Sequence, residues 1–250
     1  MRSTNRSHLP SQPPPPPSTI DTTLLPTRRH IAALLILLAT AAFAQQPRAL
    51  ILIDPAHGGP DTGARLPTNL LEKDITLALA TRLRTTLSAA GFTILTTRDS
   101  DPAATLPADQ RAEAANHAHP AACLILHATS SGTGVHIITS ALTPTGEPPR
   151  VIPWDTAQSA SIPESLTLAN ELGLALLRAK LLVLLTYASV PPLDNLTCPA
   201  VAIEIAPLSH PGSTPTPVSD ATYQQHVAEA IAAALTSWRS HNTPTTGAPR

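Results

Sequence analysis

From Ala49 onward, short apolar runs alternate with longer stretches in which apolar residues recur every three or four positions. That alternation is the form of an α/β domain with a central, mostly parallel sheet flanked by helices. Ala49–Ile53 predicts the first strand, and Ile75, Leu79, Leu83 and Leu87 then mark one face of a helix, with Gly91 where its C-cap falls. Phe92–Thr97 predicts the next strand, and a short Ala-rich helix follows from about Thr105 to Ala118. Ala122–Leu126 predicts a strand ending at His127, and Val135–Ile138 predicts a further one. Thr143–Pro163, rich in proline and polar residues, reads as a surface loop that could flank a cleft. Ser161-Ile-Pro-Glu164 has the form of a capping box, and the apolar stretch after it predicts one helix to about Leu185. Cys198–Ala206 reads as a central strand, and Tyr223, Val227, Ile231 and Leu235 mark a last amphipathic helix.

The segments outside this pattern set the domain limits. Residues 1–27, with prolines at every position from Pro13 to Pro17, show no hydrophobic period and read as a disordered extension. Arg28, Arg29 and His30 then precede an apolar stretch from Ile31 to Phe43, closed by Ala42-Phe43-Ala44. This is the arrangement of a secretory signal over 28–44 with cleavage after Ala44, and the stretch is shorter than the roughly 20 residues a membrane span needs. A single catalytic domain is therefore expected over 45–240, with a fraying tail at 241–250 and no stable membrane span once the signal is removed.

Composition narrows the chemistry. A formal net charge of -1 with 13% charged residues offers no basic field for phosphates, which argues against nucleic acid as partner. Aromatic residues make up only 2%, so recognition must rest on hydrogen bonds, shape or a metal rather than on stacking. Cys123 and Cys198 each begin an apolar run; a disulfide is permitted in an exported chain, but two buried, unpaired thiols are the expectation.

Four residues carry candidate chemistry. His57 follows the first strand in Asp54-Pro-Ala-His-Gly-Gly59, where glycines allow a tight turn. Glu72 opens the next helix and, taken alone, reads as a capping partner of Asn69 or a favourable charge near the helix N-terminus. His127 ends the strand that begins near Cys123. Two histidines and a glutamate form the ligand set of a catalytic zinc with a place left for water, and the C-terminal ends of parallel strands converge at one sheet edge. Glu204 lies within Val201-Ala-Ile-Glu-Ile-Ala206, where a carboxylate needs a partner or a cleft; beside a metal it can act as general base and acid. Asp54 is open to two readings, orienting a histidine ligand or stabilising the turn before Pro55. His117, His119, His136, His210 and His226 read as ordinary surface or satisfied residues.

Asp54-Pro-Ala-His-Gly-Gly59, Asp61-Thr-Gly-Ala64, Glu72-Lys-Asp74, Thr97-Arg-Asp99, Arg111, Ala115-Asn116 and Leu126-His-Ala128 together resemble the successive motifs of the zinc-dependent N-acetylmuramoyl-L-alanine amidases. The resemblance implies Zn2+ held by His57, Glu72 and His127, with Glu204 as the catalytic glutamate. It implies peptidoglycan as partner, with cleavage of the amide between N-acetylmuramic acid and L-alanine in the periplasm or cell envelope, and it leaves a protein activator open. Ala56 stands where glycine is usual, and Ile205-Ala-Pro-Leu-Ser209 replaces the usual Thr-Gly-Phe and Ser-Asn after the catalytic glutamate. Two other readings use the same residues: a zinc peptidase acting on the stem peptide, and a wall-binding pseudoenzyme that has lost turnover.

Overall fold

A computed structural model describes residues 48–145, 151, 153–209 and 211–242. The extension expected to be disordered at 1–27, the signal expected at 28–44, His210 and most of the tail lie outside the described residues. Six strands form one sheet: β1 (Leu50–Pro55), β2 (Thr93–Thr96), β3 (Ala122–Ala128), β4 (Val135–Thr139), β5 (Val183–Tyr187) and β6 (Ala200–Ile205). Their order is β2-β1-β3-β6-β4-β5, and every neighbouring pair is parallel except β4 with β6. The helices are α1 (Glu72–Ala89), α2 (Ala108–Ala118), α3 (Ile162–Arg178) and α4 (Ala221–Asn242).

Alternation along the strands sorts the core into two layers. Ile51, Ile53, Leu124, Leu126, Val201, Ile203 and Ile205 point to the larger core, shared with α1, α3 and α4. Leu52, Cys123, Ile125, Ala200 and Ala202 point to the opposite face, where α2 contributes Ala112 and Ala115 and the segment before β6 contributes Leu193 and Leu196. On α1, Ile75, Leu79, Leu83 and Leu87 are at most 4% exposed, each such burial contributing about 1.5–3 kcal/mol. The helix ends as the sequence predicts: Gly91, at φ +85°, donates to Ser88 and Phe92 donates to Leu87, which is a Schellman closure.

Four expectations are corrected. The helix predicted to run to Leu185 stops at Arg178, and the rest becomes edge strand β5. The stop is another Schellman closure, with Lys180 at φ +60° donating to Leu177 and Leu181 donating to Leu176; with lysine in the glycine position, composition gave no sign of it. The capping box does not form either: Ser161 Oγ accepts from no N–H of the helix and instead donates to the Thr197 carbonyl. Nor are the cysteines free. Cys123 N–H donates to the Pro199 carbonyl, which brings Cys198 alongside β3, and the two form a disulfide with Cα atoms 6.3 Å apart. Part of the predicted surface loop is also buried: a 3-10 segment, Trp154–Ala160, tucks Gln158 inward, where its amide donates to the carbonyls of Leu196 and Cys198.

Candidate metal centre

The site begins where β1 ends. His57 has φ +66°, a left-handed conformation that costs a non-glycine residue about 1–2 kcal/mol, so its surroundings must hold it there. They do so from both sides. Gly58 and Asp61 exchange backbone hydrogen bonds across a tight turn, and Arg98, buried behind it, donates to the carbonyls of Pro55, Ala56 and Lys73. Gly59 N–H donates to Asp101, whose other oxygen receives Lys73 Nζ at 2.6 Å.

Glu72 is the first residue of α1 and is 5% exposed. It does not cap Asn69; its carboxylate reaches across the site. Oε2 accepts from Ala64 N–H at 2.9 Å and Oε1 from Ala128 N–H at 3.2 Å. His127 Nδ1 is 2.8 Å from Oε1, and His57 Nε2 is 3.2 Å from Oε2. One ligand atom from each of the three residues lies within 4.8 Å of the others, and the two imidazole rings stand edge to face with centroids 5.5 Å apart. Gly63, at φ +62°, packs so closely that a Cβ there would lie 2.6 Å from His57 Cδ2 and 2.7 Å from Glu72 Oε2.

The electrostatics are those of a cation site. Burial pushes the Glu72 carboxyl up, but hydrogen bonds from His127, His57 and Ala64 outweigh it and hold the group well below the usual carboxylate range. The hydrogen bond to Glu72 raises His57, burial opposes it, and Asp61 adds to the rise. Two imidazole nitrogens and a carboxylate oxygen thus face one another closely enough to hold a metal cation. Among the described residues, the buried Nε2 of His127 has no hydrogen-bond partner.

The histidine-orienting carboxylate is not Asp54. That residue is fully buried, paired with Arg111 at 2.7 Å and accepting from Thr97 Oγ1, so it serves neither His57 nor a turn. Asp61 takes the orienting part, with His57 Nδ1 2.9 Å from its Oδ2, which aims Nε2 at Glu72. Its position four residues after His57 was the available signal.

Glu204 lies on the central strand β6, as the apolar run around it predicts. It is the register partner of His127 on β3 and of His136 on β4, so the three side chains form a row on one face of the sheet. His136 is thus a satisfied histidine whose partner is the glutamate: its Nδ1 is 2.8 Å from Glu204 Oε2.

The profile of a family described as N-acetylmuramoyl-L-alanine amidase matches residues 51–237. A germination-specific N-acetylmuramoyl-L-alanine amidase of Bacillus subtilis is 50% identical over 52 residues, 21% of this chain and 22% of that protein. In fold, the N-acetylmuramoyl-L-alanine amidase AmiC2 of Nostoc punctiforme superposes with a TM-score of 0.59 at 23% identity, over 78% of this chain and 99% of that one. Ami1 of Mycobacterium smegmatis gives 0.62 at 18% identity, over 78% of this chain and 98% of that one.

Proposed function

The chain belongs to the N-acetylmuramoyl-L-alanine amidase family, and from that premise we propose that it hydrolyses the amide joining N-acetylmuramic acid to the L-alanine of the peptidoglycan stem. The observation that carries the reading is the convergence of His57, Glu72 and His127 with Glu204 one strand away from His127. In this reading the three hold zinc. Bound there, zinc supplies a water acidified towards about pKa 7 and a Lewis acid for the scissile carbonyl.

The remaining work falls to the chain's own groups. Asp61 keeps Nδ1 of His57 protonated, so Nε2 offers its lone pair inward. Ala64 and Ala128 N–H groups hold both oxygens of Glu72 in place. Glu204 takes a proton from the attacking water and passes it to the alanine nitrogen as the C–N bond breaks, leaving a lactyl carboxylate and a free amine. The Cys123–Cys198 disulfide supports maturation in an oxidising compartment, and the exported form in this reading begins at Gln45.

Mass spectrometry of purified muropeptides after incubation tests the proposal, with and without a chelator. The expected products are intact stem peptides with a free L-alanine amine, together with glycan carrying the free lactyl acid, and none in chelator. Cleavage within the stem would instead make the chain a peptidase, and no cleavage at any zinc concentration would make it a wall-binding pseudoenzyme.

A further inference from the structure

The row of side chains that carries the proposed base continues one strand beyond it. His136 stands opposite Glu204 in the antiparallel β4–β6 register and donates from Nδ1 to Oε2 at 2.8 Å. Its side chain is 13% exposed, against 29% for Glu204, so the pair sits at the rim of the site with the imidazole on the inner side. The far edge of the ring is closed in as well. A Cβ on Gly132 would lie 2.8 Å from His136 Cε1 and 2.9 Å from Nε2, which places the loop backbone directly against the imidazole.

Glu204 therefore lies between two fixed groups, His127 on one neighbouring strand and a clamped His136 on the other. A glutamate has three rotatable side-chain bonds, and a base must present one oxygen to one proton; a group displaced by about 1 Å can lose on the order of a hundredfold in rate. With Oε2 engaged by His136, Oε1 is the oxygen left for that task.

We propose that His136 is a positioning residue for Glu204: its Nδ1–H holds Oε2 and so presents Oε1 to the attacking water. This rests on the reading of Glu204 as the proton carrier. It assigns no metal to His136, which lies outside the ligand cluster formed among the described residues.

The test compares kcat and KM on a defined muropeptide, bound zinc and thermal unfolding for the wild type, H136F, H136N, E204Q and the H136F/E204Q double variant. Phenylalanine keeps the ring and removes the donor, whereas asparagine can place an N–H where Nδ1 was. The expected result is a kcat about tenfold or more lower in H136F, with KM and zinc content unchanged, recovery to within about threefold in H136N, and a double variant no slower than E204Q. Wild-type kcat in H136F, an H136N as slow as H136F, or a full further loss on adding H136F to E204Q would each overturn the proposal. If H136F loses zinc or melts early, H136Q replaces it, since its amide nitrogen falls near the Nε2 position; a normal rate there would also overturn the proposal. A fully active E204Q removes the base assignment itself, and an inactive wild type removes the proposed function. Both are distinguishable from a failure confined to His136.

Discussion

The two halves of the site are built by different means. His57, Asp61 and Gly63 sit on a loop, two of them in left-handed conformations, and side chains from elsewhere tether that loop: Glu72 on α1 at His57 and Ala64, and, after β2, Arg98 at the Pro55 and Ala56 carbonyls and Asp101 at Gly59. His127, Glu204 and His136 sit on three adjacent strands, and backbone register brings them into one row. The loop half needs many small tethers because its backbone is fixed only by the short Gly58–Asp61 pairing. The strand half needs few, because a one-residue slip would turn the whole row into the opposite core. Loop substitutions should therefore first affect metal affinity and local stability, whereas substitutions on the strands should affect turnover.

Glu204→Gln should show the largest effect. The amide keeps the shape but cannot accept a proton, so turnover should fall by roughly a hundredfold or more while bound zinc stays at the wild-type level. Glu72→Gln should do the reverse and release the metal. Elemental analysis beside stem-peptide release reads both; an E204Q variant that loses zinc would erase the distinction between the halves.

Gly63→Ala should come next, acting through the loop. It places a Cβ 2.6 Å from His57 and 2.8 Å from the Glu72 Cβ, on a backbone at φ +62°. The combined strain should cost about 2 kcal/mol or more, measured by denaturant unfolding of the metal-free protein. An unchanged midpoint would show that the loop adapts freely.

Asp61→Ala frees the His57 ring without touching a ligand atom. Zinc affinity should weaken about ten- to hundredfold, read by competition with a chromogenic chelator. Equal affinity would mean that the Gly58–Asp61 turn orients His57 without the carboxylate.

The smallest expected effect is a pH dependence in the tether at Gly59. The Lys73 ammonium and the Gly59 N–H hold the exposed Asp101 below its ordinary value near 3.8. A depressed acid stabilises the fold above its unfolded pKa and loses that contribution as pH falls through the folded value. The Gly59 amide resonance should therefore be steady above about pH 5 and move only as the solution becomes strongly acidic. In Asp101→Asn that movement should vanish; if it persists, another group titrates there.

How much of this was legible in the sequence follows from the range of each signal. The helix ending at Gly91 was readable because glycine itself marks the left-handed position, whereas Lys180 adopts the same conformation without a compositional mark and concealed both the end of α3 and strand β5. His57, Glu72, His127 and Glu204 could be picked out because each interrupts or ends a local apolar pattern with a chemically reactive group. Their partners could not. The Asp54–Arg111 pair, the Cys123–Cys198 disulfide and the His136–Glu204 contact join residues dozens of positions apart. Periodicity is a property of neighbours along the chain, so the sequence by itself determined the elements and the reactive groups. Only the tertiary structure, through strand register and the packing of helices and loops against the sheet, decided which of those groups meet.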